Sequence, residues 1–253
     1  MSTVFENSYL RESFMAKNGE LILVPTPIAE LGGHRSDLRE ILLHAWQSRA
    51  AIVVEDEKPA RRRWRSWDLP REAIDDFILY NEHARSENLP KLLNILKEGR
   101  DIYLQSDGGM PGFCDPGRDL IYEAQSRGYK VSTTPFYNSL IPAVAMSGFT
   151  EGAFEFLSFP PREKQERAQF FQSLAQMTKD EKALAFMDTP YRLERVCQEL
   201  LEVQWKKGRS QLIYLAMDIN RDNFESFWGN LDQLQSFLHK SPPGKREFVC
   251  VID

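Results

Sequence analysis

The chain has little cysteine and little histidine. Its three cysteines, Cys114, Cys197 and Cys250, are odd in number and widely spaced, which excludes a disulfide framework and suits reduced thiols in a cytosolic protein. The four histidines, His34, His44, His83 and His239, are equally scattered, so no metal-ligand spacing exists and no metal is expected. Long apolar runs are absent. Leu21 to Val24 and Ala50 to Val54 are of buried-strand length, far below the roughly 20 residues of a membrane helix. Glu6, Arg11 and Glu12 interrupt the place where a secretory signal needs an unbroken apolar segment, so a cytoplasmic protein with no membrane partner is expected. No internal repeat or low-complexity segment occurs.

Three common site signatures are also missing. No G-x-x-x-x-G-K-[ST] is present and no G-x-G-x-x-G follows the first apolar run, which removes P-loop and dinucleotide-binding readings. No G-x-S-x-G nucleophile elbow is present either. What the chain does have is ample material for folding: 42% hydrophobic and 27% charged residues in 253. Single cores tend to split near this length, so two domains of roughly 125 residues are expected. The net charge of -5 argues against a surface that grips nucleic acid everywhere, and leaves room for a local basic patch.

Leu21-Ile22-Leu23-Val24 and Ala51-Ile52-Val53-Val54 read as strands of a parallel sheet covered on both faces. Leu38, Ile41, Leu42, Ala45 and Trp46 fall at helical spacing between them, which predicts a βαβ unit over residues 20 to 54. Leu89, Leu92, Leu93 and Leu96 line a second helix that Gly99 can end, and a strand follows at Ile102 to Gln105. Asp115 is the expected N-cap, with Pro116 at the first helical position, of a helix running through Gln125 toward a strand around Val131. This alternation predicts a doubly wound α/β domain. Ser139 to Met146 reads as a short helix, and a second α/β region follows with strands at 153–159, 183–188, 211–217 and 247–252. Its clearest helix has Thr189 as N-cap, Pro190 first, and Leu193, Val196, Cys197, Leu200 and Leu201 on one face.

The stretch most informative about chemistry runs from Ser106 to Gly117, directly after a strand and directly before a helix. Ligands of open α/β sheets bind beyond the carboxyl ends of strands, where this loop emerges. Its four glycines, Gly108, Gly109, Gly112 and Gly117, let the backbone approach a ligand and present bare N–H donors. A plain chain-reversing turn would have a similar composition.

The loop S-D-G-G-M-P-G-F-C-D-P-G resembles the S-D-A-G-T-P-G-I-S-D-P-G loop of the tetrapyrrole methylase superfamily, in the branch that methylates a ribose 2′-oxygen of small-subunit ribosomal RNA. Leu23 to Ile28 resembles that branch's first-strand signature, Val54-Glu55-Asp56 its second strand, and Tyr80-Asn81-Glu82-His83 its Y-H-E-H segment. Phe159-Pro160-Pro161-Arg162 resembles F-L-P-R, and Asp188 to Leu193 resembles E-S-P-H-R-L. The matches run in order from about residue 20 to the end. The resemblance implies two α/β domains, at 19–136 and 137–253 after an N-terminal extension of 1–18, a homodimer, and S-adenosylmethionine in the cleft between the domains. The cofactor contacts it implies are Pro25, Asp107, Gly108, Gly109, Met110, Phe113, Asn138, Ser139, Met187 and Ala216. The extension reads as a loosely held tail, with a dimer arm as the alternative.

This chain departs from the pattern on the substrate side. E-D-T-R becomes Glu55-Asp56-Glu57-Lys58, Y-H-E-H-N becomes Tyr80-Asn81-Glu82-His83-Ala84, and P-G-P-S-A becomes Pro135-Phe136-Tyr137-Asn138-Ser139. A ribose hydroxyl is a poor nucleophile while protonated, and Glu82 and His83, followed by Glu55 and Asp56, are the candidate bases. The competing role for such groups is structural hydrogen bonding. Lys58, Arg61, Arg62, Arg63, Arg65 and Arg71, interleaved with Trp64 and Trp67, form a basic and aromatic cluster. Its cations could follow phosphates while its indoles stack on bases, and Arg162, Lys164 and Arg167 could extend the surface. A solvated charged face is the alternative. Three functions remain open: a methyltransferase acting on ribosomal RNA or the small ribosomal subunit, a methyltransferase acting on a tetrapyrrole or other small molecule, and a cofactor-binding protein without catalysis.

Overall fold

The structure, a computed structural model, describes residues 18–27, 36–150, 153–178 and 182–253. Apart from Asn18, the N-terminal extension lies outside the described residues, as does Ile28 of the first-strand signature. The fold is α/β, and the described residues form two five-stranded sheets.

The first sheet comprises β1 (Glu20–Val24), β2 (Ala51–Val54), β3 (Ile78–Leu79), β4 (Ile102–Gln105) and β5 (Lys130–Thr133), all parallel, in the order β3-β2-β4-β1-β5. Side chains alternate across a strand, so each apolar run serves two cores. Val24, Ile52 and Val54 face α1 (Ser36–Gln47) and α2 (Glu57–Ser66) through Leu38, Leu42 and Trp64. Leu21, Leu23, Val53 and Leu104 face α3 (Arg85–Lys97), α4 (Arg118–Ser126) and α5 (Leu140–Ser147) on the other side. β1 therefore leads to a helix on one face and its neighbour β4 to a helix on the opposite face. This arrangement opens a crevice beyond their carboxyl ends, the usual ligand position in such sheets.

The second sheet comprises β6 (Phe154–Phe156), β7 (Ala183–Asp188), β8 (Leu212–Met217), β9 (Glu225–Asn230) and β10 (Phe248–Ile252) in the order β6-β7-β10-β8-β9. β6 runs parallel to β7, and the other pairs are antiparallel. α6 (Lys164–Met177), α7 (Leu193–Glu202) and α8 (Leu231–Lys240) cover one face, against Phe186, Leu215 and Cys250. The other face carries small side chains, Ala183, Ala185 and Ala216, beside Tyr214, Val249 and Val251, and meets α5.

α5 is apolar on all sides and buried from Pro142 to Ser147, as its position between the two sheets requires. Trp228 of β9 donates from Nε1 to the Ser147 carbonyl at 3.0 Å and packs edge-on against Tyr122 of α4. Gly148 ends α5 in the left-handed region at φ 68°, and a Cβ there would lie 2.8 Å from the Tyr122 backbone nitrogen. A glycine is needed both for the turn and for this close helix approach.

β4 lies between β1 and β2 of the expected βαβ unit. Two expected helix starts are corrected. α4 begins at Arg118 with Gly117 as its cap at φ 125°, so Asp115 and Pro116 belong to the loop and not to the helix start. Thr189 and Pro190 open a single 3-10 turn, Pro190–Arg192, ahead of α7. The expected faces of α1, α3 and α7 are the buried ones, with Leu193, Val196, Cys197 and Leu200 fully enclosed on α7. Among the described residues no helix is long and apolar enough to cross a membrane.

Candidate functional site

Parallel pairing of β1 with β4, Val24 opposite Gln105, brings their carboxyl ends side by side. The glycine loop is then fastened across both ends. Thr26 N donates to the Gly109 carbonyl and Gly109 N to the Thr26 carbonyl, both at 2.9 Å, while Thr26 Oγ1 donates to the Ser106 carbonyl at 2.9 Å. Gly109 sits at φ 108°, a conformation that side chains oppose, and only Asp115 Oδ2 lies near the position of a Cβ, at 3.6 Å. A valine at this position would therefore strain the backbone as well as enter open space.

β2 and α2 hold the loop from the other side. Asp107 N donates to Glu55 Oε2 at 3.0 Å. Arg63 Nη2 donates to the Ser106 carbonyl at 2.9 Å, and Arg63 Nη1 donates to the Asp107 carbonyl. The Arg63 side chain is only 16% exposed and lies 3.7 Å from Asp107 Oδ1. Arg63 was expected among the phosphate-binding cations, but the structure gives its guanidinium to the loop. Trp64 and Trp67 are buried as well. Trp64 donates from Nε1 to the Pro70 carbonyl at 2.7 Å and packs edge-on against Phe77, so the expected indole stacking on bases is corrected to a core role. Arg61, Arg62 and Arg65 are exposed on α2, with Arg61 paired to Glu57 at 2.7 Å.

Of the candidate bases, Glu55 supports the loop and Asp56 caps α2, accepting from Lys58 N at 2.8 Å. Glu82 and His83 are exposed in the turn before α3. Asn81, standing where the family pattern has histidine, organises that turn: its Oδ1 accepts from His83 N and Ala84 N, and its Nδ2 donates to the Glu55 carbonyl at 3.0 Å. Glu82 lines a polar hollow of about 210 Å³ with Tyr80, Arg85, Cys114, Asp115 and Arg118.

A second hollow, of about 140 Å³, lies on the inner face of the second sheet. Register places Met187, Val249 and Ala216 in one cross-strand row, which forms its floor. Ser139 forms a wall, with Oγ 3.8 Å from Met187 Sδ, while Asn138 Oδ1 accepts from Ile141 N at the start of α5. Three expected cofactor residues, Ser139, Met187 and Ala216, thus meet at one hollow, and Pro25, Asp107, Gly108, Gly109, Met110 and Phe113 cluster at the loop. Phe113 reaches the second sheet directly, edge-on to Phe154 at 5.9 Å. Asp188, Asp218 and Phe159 also line the hollow and were not expected. A larger hollow of about 660 Å³, lined by Trp46, Arg49, Ala51 and Arg100, lies at the opposite, amino-terminal ends of the strands.

Three buried polar atoms at the end of β4, Gln105 Nε2, Ser106 Oγ and Asp107 Oδ1, make no hydrogen bond, although Arg63 stands 3.7 Å from the last. Such atoms are nearly always paired in folded proteins, so a bound ligand with polar groups fits here. Burial raises the Asp107 carboxyl above its usual range and the Glu55 charge adds to this, against the opposing charge of Arg63. Burial raises Asp115 too, with a further contribution from Asp107. A carboxyl with a raised folded-state pKa stabilises the fold only at low pH and loses that contribution as pH rises through the folded value. Asp115→Asn is therefore expected to melt above the wild type at pH 7, with the gain fading as pH falls toward the unfolded value of about 4. Thermal melts over that range test this; a gain that persists in acid, or no gain at neutral pH, contradicts it. Among the described residues no group of three or more His, Cys, Asp or Glu is placed to hold a metal ion.

Comparison with known proteins finds sequence relatives over most of the chain. The ribosomal RNA small subunit methyltransferase I of Halalkalibacterium halodurans is 32% identical over 236 residues, covering 93% of this chain and 76% of that protein. The protein of the same name from Leptospira borgpetersenii is 29% identical over 231 residues, covering 91% and 87%. A uroporphyrin-III C-methyltransferase structure from Thermus thermophilus aligns over 93% of this chain and 92% of its own with a TM-score of 0.30 and 15% identity, too loose a match to bear on function. No family model matches the chain. These matches cover more than nine-tenths of the chain, which belongs to the ribosomal RNA small subunit methyltransferase I family.

Proposed function

We propose that this chain transfers a methyl group from S-adenosylmethionine to a ribose 2′-hydroxyl of small-subunit ribosomal RNA. The observation that carries this reading is the glycine loop fastened across the ends of β1 and β4, with the buried polar atoms Gln105 Nε2, Ser106 Oγ and Asp107 Oδ1 beside it lacking hydrogen bonds. The proposed cofactor residues are Pro25, Asp107, Gly108, Gly109, Met110 and Phe113 on the loop side, and Asn138, Ser139, Met187 and Ala216 on the side of the second sheet. The division of the chain at residues 136 and 137 into two domains around this site belongs to the same reading, as do the homodimer and the cytoplasmic location.

The cofactor supplies an electrophilic methyl group on a sulfonium. The chain supplies placement and exclusion of water, which can contribute much of the acceleration of an in-line displacement. Glu82 or His83 takes the hydroxyl proton, since Glu55 and Asp56 are engaged in holding the loop and capping α2. Arg61, Arg62, Arg65 and Arg162 are the proposed phosphate contacts, all on exposed surface.

Calorimetry with S-adenosylmethionine and its demethylated product, with and without a chelator, tests the cofactor half. Binding unchanged by the chelator is expected; loss of binding on chelation, or no binding by folded protein, removes the reading. Labelled donor offered with small ribosomal subunits, free RNA and tetrapyrrole precursors tests the acceptor. Label is expected in RNA, and transfer only to a tetrapyrrole overturns the assignment.

A further inference from the structure

The large apolar side chains that the described residues expose are Tyr137 at 95%, Tyr191 at 76%, Phe159 at 55% and Phe156 at 41%. Three of them belong to segments that border one opening. Phe159 lines the hollow above the Met187, Val249 and Ala216 row. Tyr137 precedes by two residues Ser139, which forms another wall, and Tyr191 follows by three residues Asp188, a third. Lys245 approaches from the start of β10 and places its Nζ 5.0 Å from the centre of the Tyr191 ring. Exposed aromatic rings on segments that border one mouth mark a surface suited to a partner.

Charge favours a nucleic acid as that occupant. The rim carboxylates of Asp188 and Asp218 are buried and neutralised from within, Asp188 by Arg167 and Arg192 and Asp218 by Arg221 and Arg246. The Glu163 carboxylate is taken up in capping α6. Glu247 is an exposed carboxylate on the rim. Against it stand Lys245 on the Tyr191 ring and Arg162, exposed and without a hydrogen bond or ion pair among the described residues. Rings backed by cations match unpaired bases joined by phosphates, where stacking needs only the flat face of a base.

We propose that Phe159 and Tyr191 form a stacking platform for unpaired bases of the RNA acceptor beside the hollow that Ser139 lines. This deepens the methyltransferase reading and rests on it for the RNA. The platform takes over the role expected of Trp64 and Trp67, which lie in the core. It also gives Tyr191, standing where the family pattern has histidine, a function in holding substrate.

The test measures binding of the full chain to a short single-stranded oligoribonucleotide and to the same strand in duplex, across a salt series. The wild type is expected to prefer the single strand. Tyr191→Ala is expected to weaken that binding by about 5- to 100-fold, the usual worth of one stacked base, and Tyr191→Phe to retain it. The slope of log K against log salt should stay unchanged in both, because no phosphate contact is lost, whereas Lys245→Gln should flatten it by roughly 0.7 units. Wild-type binding to RNA with Tyr191→Ala equally tight overturns the platform and leaves the RNA reading intact. A dimer-to-monomer change of Tyr191→Ala in light scattering, with RNA affinity preserved, assigns the face to a second copy and also overturns it. Failure of the wild type to bind either RNA removes both.

Discussion

Arg167→Met is expected to destabilise the protein by about 3–5 kcal/mol, the cost of breaking a buried ion pair from one side. The guanidinium is 1% exposed and donates from Nε and Nη2 to Glu199, at 2.7 Å to each carboxylate oxygen, and from Nη1 to Asp188 Oδ2 at 2.7 Å. Its cation lies 5.2 Å from the centre of the Phe171 ring, so methionine keeps part of the packing and loses the charge. Asp188, also 1% exposed, would retain only Arg192 at 3.3 Å and its own link to Thr189 N. Glu199 would keep Arg195 and some solvent, so most of the cost falls on Asp188. The expected fall in melting temperature is on the order of 10 °C. Adding Asp188→Asn and Glu199→Gln to the variant should recover part of it, because the unpaired charges are then removed. Thermal melts decide between this and the sequence expectation that Arg167 extends an RNA-binding surface: that role predicts weaker RNA binding with an unchanged melting temperature.

Arg63→Gln is expected to weaken S-adenosylmethionine binding by about 10- to 100-fold while the protein stays folded. Hydrogen bonds from a charged donor are worth about 1.5–3 kcal/mol, and Arg63 supplies two of them to the Ser106 and Asp107 carbonyls. Its loss also leaves the Asp107 carboxyl beside Glu55 without the nearest cation, so the raised pKa of Asp107 rises further. The paired Thr26 and Gly109 backbones would still tether the loop, which is why its placement suffers more than the fold. Arg61→Gln is the control. Arg61 forms an exposed pair with Glu57 one helical turn away, worth a few tenths of a kcal/mol, and its loss should leave cofactor binding unaltered. If phosphates bind α2, Arg61→Gln should also flatten the salt dependence of RNA binding by about 0.7–0.9 units. Calorimetry on the two variants separates the roles, and equal cofactor affinities would show that the loop holds itself without Arg63.

Continuous apolar runs predicted β1 and β2, the helix ending at Gly99 predicted β4 after it, helical spacing predicted the buried faces of α1, α3 and α7, and a glycine-rich segment between strand and helix marked the site. These signals are local. An apolar run of strand length is buried whichever neighbour it finds, and a loop that must take φ 108° at Gly109 declares itself by composition. The sequence by itself therefore determined the α/β class, the loop and, through the order of its motifs, the family resemblance. Which strand lies beside which was not legible. β4 separates β1 from β2, and it is this insertion that puts Gly109 against Thr26.

Tertiary structure alone decided the fate of the basic segment. Arg61, Arg62 and Arg63 are the same residue type, but each helical residue turns by about 100°, and Arg63 is the position that points at the Ser106 and Asp107 carbonyls, 43 and 44 residues away. The same rotation sends Trp64 into the core. Arg162 and Arg167 read alike as surface cations, yet Glu199 and Asp188, contributed by α7 and β7, make burial of Arg167 possible while Arg162 stays in solvent. A charged side chain leaves water only where the rest of the fold supplies its counter-charges, and those lie too far along the chain for any local pattern to announce them.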